Sequence, residues 1–286
     1  MSAPLRGGPP AGVVGPKYGC LTLTTDYGYE AGFVGVLHAV AFAIAPSVRV
    51  IDLDHRLPPQ DVRLGALRLE RFMAIAPSGV HVGIVDPGVG GSRRAVAISA
   101  GSHSFVGPDN GLLAWAADAC GGDELRVVEL DRPEFWLERR SRTFDGRDIF
   151  VPVAAHLAQG LELAEIGTPV DPGSLFRLDR PRCSVATSGA AELEVLQVDG
   201  FGNIQLSGNE ETVVALGLGA GDNVELTSPG TAPVRATFGK TFSDVPVDHP
   251  IVLIDSDGCL ALSVNYGSAA AIFDAKPAAP VRLSRA

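Results

Sequence analysis

From Tyr18 to about Arg177, short runs of β-branched and aliphatic residues alternate with stretches whose apolar residues recur at helical spacing. This alternation limits the fold more than any other feature. Cys20-Leu-Thr-Leu-Thr-Thr predicts a strand ending at Asp26-Tyr-Gly, and Phe33 to Ala45 predicts a helix closed by Pro46. Val48 to Leu53 is a second strand, and Asp61 to Ile75 a second helix, with Val62, Leu64, Leu67, Leu69 and Phe72 on one face. Val80 to Val85 and Ala95 to Ser99 are two further strands. Strand–helix–strand units with short links imply a mostly parallel sheet covered by helices on both sides. In such sheets ligands gather at the carboxyl ends of strands. Asp26 and Asp86, each immediately after a strand, are therefore the acidic residues best placed for function.

The texture changes after a helix expected over 148–159. Residues 169–191 hold Pro169, Pro172 and Pro181 among small residues and read as a connection. Beyond it come short strands over 192–198, 223–227, 234–238, 251–254 and 260–264, with few helical patterns, which predicts a smaller β domain. The expected organisation is a flexible leader over 1–17, an α/β domain over 18–177, a linker over 178–191, a β domain over 192–275 and a loose Pro/Ala-rich tail over 276–286. No internal repeat is present.

Composition excludes several classes. With 46% hydrophobic and 20% charged residues in 286, the chain is too apolar to stay disordered over most of its length. Its net charge of −10 (23 basic, 33 acidic residues) lacks the basic face that phosphate-directed nucleic-acid binding needs. No apolar run approaches the roughly 20 residues that span a bilayer, and the N-terminal stretch lacks the apolar core of a signal peptide. A soluble cytoplasmic protein without nucleic-acid or membrane partners is expected. Cys20, Cys120, Cys183 and Cys259 are scattered with no CxxC pair and read as free thiols.

Five segments carry candidate chemistry. In Thr24-Thr25-Asp26-Tyr27-Gly28 the carboxylate could accept two hydrogen bonds from a vicinal diol, as ribose recognition requires, or cap the next turn. Val85-Asp86-Pro87-Gly88-Val89-Gly90-Gly91-Ser92-Arg93-Arg94 is a stiff, tight loop that lets backbone approach a ligand. Asp86 and Arg93 flank it and could meet across it, as a site pair or as an ion pair pinning the turn. No Gly-Lys-Ser/Thr follows, so it is not a P-loop. Phe105-Val-Gly-Pro-Asp-Asn-Gly reads as a turn leading into a helix, with Asp109 or Asn110 as the helix cap. In Thr143-Phe-Asp-Gly-Arg-Asp148, Asp148 reads as a cap paired with Arg147. Asp199-Gly-Phe201-Gly-Asn203 offers groups able to read an amide, amine or purine, or forms a hairpin turn. Asp52, Asp54 and His55 have metal-ligand types, but a strand end with a satisfied histidine is the commoner arrangement and no metal is expected.

Taken together, TTDYG, VIDLDHRLPPQDVRLGA, HVGIVDPGVGGSRRAVAI, FVGPDNGLL, TFDGRDIFVPVAAHLA, VDGFGN and SDGCLALSVNYGSAA, in this order over roughly 19–273, resemble the S-adenosyl-L-methionine (SAM) hydrolases that form adenosine. These are also called SAM hydroxide adenosyltransferases and are related to fluorinase and chlorinase. The resemblance implies an N-terminal Rossmann-like α/β domain, a C-terminal β-barrel-like domain, and a homotrimer with each site between neighbouring subunits. It implies attack of water or hydroxide on the 5′-carbon of SAM, releasing adenosine and L-methionine, with no cofactor and no metal. Carried over by position, Asp86 and Arg93 match the catalytic Asp and Arg, and Asp26 the ribose-binding Asp. Asp199 and Asn203 match readers of the methionine amine and the adenine, Phe201 and Phe242 stacking rings, Ser256 the methionine carboxylate site, and Gly146 a backbone N–H near the nucleophile.

Two positions depart from the pattern. The family's T-F-H-G-R-D carries His where this chain has Asp145, which makes Asp145 either a substitute water-orienting group or a weakness in the site. Ala31 stands where relatives tend to be acidic, beside Glu30. The alternatives are a halogenase forming 5′-halo-5′-deoxyadenosine, a non-catalytic adenosine- or SAM-binding protein, and a purely structural trimer. Asp86 and Arg93 favour hydrolysis over halogenation, since the halogenases lack that pair.

Overall fold

The computed structural model describes residues 17–121, 124–138 and 141–286, so almost all of the expected leader lies outside the described residues. The chain divides into two compact units, one ending at Leu178 and one starting at Asp179.

The first unit contains β1 (Cys20–Thr25), α1 (Phe33–Ile44), β2 (Arg49–Asp54), α2 (Val62–Phe72), β3 (Val80–Ile84), β4 (Ala95–Ala100), β5 (His103–Pro108), α3 (Ala114–Gly121), β6 (Arg126–Glu129), α4 (Val151–Gln159) and β7 (Thr168–Val170). Its sheet runs in the order β2-β1-β3-β5-β4-β6-β7. The strands β2, β1, β3 and β5 are parallel, and the remaining pairings are antiparallel. The direction changes where β4 and β5 are joined by a tight hairpin with Gly101 at φ 57°, a connection only antiparallel neighbours can use. One face packs Leu21, Leu23, Leu37, Val40, Phe150, Val153 and Leu157 under α1 and α4. The other packs Leu64, Leu69, Phe105, Leu112 and Trp115 under α2 and α3. Asp61 caps α2, its Oδ1 accepting from Leu64 N at 2.9 Å.

Two segments differ from expectation. FVGP, read as part of a turn, is most of β5, because Gly107 lets it lie against β3: a Cβ there would sit 2.2 Å from the Gly83 carbonyl oxygen. The helix expected from 148 begins earlier, in a π-helical turn over Gly146–Phe150 that runs into α4. Such turns add a residue and are frequent at functional sites.

The second unit contains β8 (Ser184–Val185), β9 (Ala190–Val198), β10 (Ile204–Asn209), α5 (Glu210–Leu216), β11 (Asn223–Thr227), β12 (Val234–Phe238), β13 (Pro250–Ile254), β14 (Cys259–Val264) and β15 (Pro280–Arg285). The strands follow β10-β14-β13-β12-β11-β15-β9, and β9 pairs again with β10, closing a seven-stranded barrel around Leu193, Ile204, Val224, Leu226, Leu262 and Leu283. Closure removes the exposed sheet edges. The expected loose tail over 276–286 is corrected by β15, which pairs with both β9 and β11. Its Pro-Val-Arg-Leu-Ser-Arg alternation buries Val281 and Leu283, a strand signal hidden behind the Pro/Ala-rich approach. The expected linker over 178–191 is corrected too: β8 and the start of β9 lie within it, β8 pairing on the outside of β9.

Candidate active site

β3 ends at Ile84 and releases Asp86 into a loop whose turns are closed by Val89 N to Asp86 O (3.2 Å) and Gly91 N to Gly88 O (3.0 Å). Gly90 has φ 74°, and a Cβ on it would lie 2.5 Å from the Arg142 carbonyl oxygen. Only glycine lets this loop touch the segment that leads to Asp145. Arg93 Nε donates to both oxygens of Asp86 at 3.1 Å, and its Nη2 donates to Asp86 Oδ2 at 2.6 Å and to Asp145 Oδ2 at 2.5 Å. The side chains of Asp86, Arg93 and Asp145 are 6%, 13% and 1% exposed. One guanidinium thus bridges two carboxylates while lying 5.5 Å from the Phe150 ring centre. Burial alone would lower the Arg93 pKa, but the hydrogen bonds and charges of Asp86 and Asp145 outweigh it and hold it above the ordinary arginine range. The cation is permanent, and the cluster carries one net negative charge when both carboxyls are ionised.

Asp26, Tyr27, Gln60, Asp86, Asp145 and Gly146 face one cavity of about 320 Å³. The residues singled out after β1 and β3 therefore share one hollow, as strand ends in an α/β sheet should. Asp26 Oδ2 accepts from Gln60 N at 2.9 Å. The loop carrying Asp26 is held from behind by the fully buried His55, whose Nδ1 lies 2.8 Å from Thr25 Oγ1 and whose carbonyl accepts from Gly28 N at 2.8 Å. His55 Nε2 and His38 Nε2 lie 3.0 and 2.7 Å from Asp52 Oδ1. Burial raises the Asp52 pKa, but these two histidines outweigh it and hold it below the usual carboxylate range. The Asp52–His55 segment thus positions the loop. Among the described residues no three His, Cys, Asp or Glu side chains gather as a metal site would require.

The second unit has its own cavity, about 1080 Å³, lined by Asp199, Phe201, Asn203, Phe242 and Ser256 among others. Asp199 is engaged in the turn between β9 and β10: Oδ1 accepts from Phe201 N (2.8 Å) and Asn203 N (2.9 Å), and Oδ2 from Asn203 Nδ2 (2.8 Å). The hairpin reading and the cavity-lining position hold together. Phe201 is 83% exposed and Phe242 45%, so both rings are open to a flat ligand. Sequence reasoning passed over Gln205, whose Nε2 donates to Asp255 Oδ2 (2.6 Å) and Asp257 Oδ2 (3.0 Å) on this wall, and over the buried Ser263 hydroxyl. It also passed over Tyr27. Nothing in the spacing of these residues distinguishes them from ordinary strand and turn positions.

The caps expected at Asp109 and Asp148 are corrected. Asp109 takes Arg94 Nη2 at 2.6 Å and Phe176 N at 2.8 Å and ties loops together ahead of α3, whereas Asn110 donates to Val85 O at 2.8 Å and its Oδ1 accepts from Leu112 N at 3.2 Å, capping the turn that leads into α3. Asp148 pairs with Arg147 at 2.6 Å as expected, but it accepts from Ser141 N and caps no helix. Glu30, beside Ala31, accepts from Tyr29 N at 3.0 Å.

A family model for the SAM hydroxide adenosyltransferase N-terminal domain matches residues 21–167, and the model for the C-terminal domain of the same family matches 193–282. This chain belongs to the SAM hydroxide adenosyltransferase family. A family relative from Salinispora arenicola, an (R)-S-adenosyl-L-methionine hydrolase, is 44% identical over 92% of this chain and 97% of its own. A fluorinase from Actinopolyspora mzabensis is 26% identical over 93% and 97%. A solved structure of an uncharacterised conserved protein from Thermotoga maritima superposes with TM-score 0.85 at 33% identity, over 93% of this chain and all of that one. The α/β sheet and closed barrel are thus the architecture of this adenosyltransferase family.

Proposed function

We propose that this protein hydrolyses S-adenosyl-L-methionine to adenosine and L-methionine by attack of water on the 5′-carbon. The observation that carries the reading is the Asp86–Arg93–Asp145 cluster opening on the same cavity as Asp26. The chemistry asks little else. Sulfonium cleavage expels a neutral thioether, so the leaving group needs no proton. The nucleophile needs alignment, worth about 7–11 kcal/mol in favourable cases, and a group to take its proton.

In this reading Asp26 grips the ribose diol. Arg93 holds both carboxylates in place, Asp86 and Asp145 orient the water and accept its proton, and the Gly146 amide at the start of its helical turn, where N–H groups lack intrahelical partners, faces the nucleophile. Asp145 thus replaces the histidine of the family pattern. Asp199, Asn203, Phe201, Phe242 and Ser256 hold the adenine and methionine ends. No cofactor or metal takes part.

The reading extends to a homotrimer in which the first unit of one subunit and the second unit of its neighbour supply the two halves of each site. The outward face of α1 supports association: Val36 and Phe42 are exposed, and the helix carries no Asp, Glu, Lys or Arg. A cytoplasmic setting fits the four free cysteines, and no described helix is long and apolar enough to cross a membrane.

The test is adenosine and methionine release from SAM by the purified protein, with chloride and fluoride added in parallel and the mass in solution measured by light scattering. Adenosine at every halide concentration supports the reading. A 5′-halo-5′-deoxyadenosine product replaces it with halogenation, and tight adenosine binding without turnover replaces it with a binding protein.

A further inference from the structure

Tyr27 follows the diol-binding Asp26 and is absent from the roles given above. Its ring is fixed by Phe33 and Phe144, with centroids 5.7 and 5.6 Å away. Its hydroxyl lies over the first residue of the π-helical turn: a Cβ on Gly146 would be 2.5 Å from Tyr27 Oη. The side chain lines the same cavity as Asp86 and Asp145. Among the described residues the hydroxyl engages no hydrogen-bond partner; the only bond at this residue is from its backbone N to Thr25 Oγ1. A phenol held by aromatic packing in a half-buried place, with its polar end facing a polar hollow and no protein partner, is placed to bond a ligand or a water.

From this geometry we infer that Tyr27 is a further catalytic residue, its hydroxyl donating a hydrogen bond to the attacking water beside Asp86 and Asp145. This deepens the hydrolase reading and rests on it. A water about to attack carbon has two lone pairs and two protons. A carboxylate takes one proton, and one lone pair must face the 5′-carbon. A donor on the second lone pair leaves only the first free to react, and it stabilises the hydroxide character that develops as the proton leaves for the carboxylate. Asp86 and Asp145 are acceptors when ionised, and the Arg93 guanidinium is engaged with both of them, so the phenol is the side-chain donor the set otherwise lacks; the Gly146 amide serves the further lone pair that appears on the oxygen as its proton leaves. Burial foremost, and then the negative charges of Asp26, Asp86 and Asp145, push the phenol pKa well above its ordinary value. The hydroxyl therefore keeps its proton across the working pH range. Gly146 completes the arrangement, since any side chain there would displace the hydroxyl.

Tyr27→Phe tests this directly, because it keeps the ring contacts and removes one oxygen. Loss of one donor in the transition state predicts a kcat lower by about tenfold, with KM within about twofold and the Kd for adenosine unchanged. An unchanged kcat overturns the assignment, and so does a retained kcat with weakened adenosine binding, which would make Tyr27 a substrate-binding group. A double-mutant cycle guards against a variant that merely misfolds. If Gly146→Ala acts by displacing the hydroxyl, adding Tyr27→Phe to it should cost nothing further, whereas full additivity contradicts the proposal. Absence of adenosine release by the unaltered protein would instead reject the hydrolase reading itself, so the two failures are distinguishable.

Discussion

At the residue scale, the distinctive feature is a second carboxylate on Arg93, at the position where the sequence resemblance implies histidine. Asp145 is 1% exposed and bonded at 2.5 Å to the same Nη2 that binds Asp86. Removing water from a carboxylate is costly unless a cation compensates it, and here a single cation serves two. A role in orienting water or accepting its proton predicts that Asp145→Asn lowers kcat by about 100-fold, the lower end of general-base contributions, while KM changes little. Steady-state adenosine release measures this, and an unchanged rate would remove Asp145 from the reaction. Arg93→Ala removes the cation between two buried carboxylates. It should cost about 3 kcal/mol of stability, read from urea unfolding, because it leaves uncompensated buried charge. A stability within 1 kcal/mol of the unaltered protein would mean that the cluster opens to water.

At the element scale, the site depends on how strands end and helices begin. Asp61 caps α2 right after the Pro58–Gln60 turn, and Gln60 N bonds Asp26. Asp61→Ala should cost about 1 kcal/mol, seen as a lower Tm, and it should also loosen the Asp26 loop, seen as a raised KM. A lower Tm with unchanged KM would uncouple cap from site. β15 closes the barrel by pairing with β9 and β11, burying Val281 and Leu283 completely. Each such side chain contributes about 1.5–3 kcal/mol by burial alone, and the opened strands would expose two edges. A chain ending at Ala279 should lose the cooperative unfolding of the second unit, and one that melts like the full chain would contradict the closed barrel.

At the scale of the whole molecule, buried histidines set a pH dependence. His81 is fully buried between Thr22 Oγ1 and His103 Nδ1, each 2.9 Å away. Burial, helped by the His103 charge, pushes its pKa down to about 3. In the unfolded chain the same group titrates near 6.5. Because the folded value is depressed, the unfolded state binds the proton first. Stability is complete above about pH 6.5 and is lost progressively as pH falls from there towards 3, at up to about 1.4 kcal/mol per pH unit for this one proton. Urea midpoints at pH 7.5 and 5.5 should show the fall, and His81→Gln should flatten it; equal slopes in the two proteins would contradict the assignment.

Much of this was legible in the sequence, for physical reasons. The alternation of Leu21 and Leu23 with threonines, and the helical spacing in α2, record burial on one or both faces of a regular element. The Asp86–Arg93 pair was legible because the six residues between them form a proline- and glycine-rich loop that brings its ends together. The rest depended on long-range packing. β5 is hidden by Gly107 and Pro108, which sequence patterns read as a turn but which the close approach to Gly83 requires. Asp145 reaches Arg93 across 52 residues, through a loop that passes Gly90, and no spacing rule reports such a meeting; only the family resemblance pointed to that position. Tyr27 was invisible because its importance lies in where the hydroxyl ends, over Gly146.

If the Asp86–Arg93–Asp145 cluster aims water at the carbon next to sulfur, turnover of SAM in oxygen-18 water, followed by mass spectrometry of both products, should place one heavy oxygen in the 5′-hydroxyl of adenosine and none in methionine. Label in methionine, or unlabelled adenosine, would rule out attack of water at that carbon.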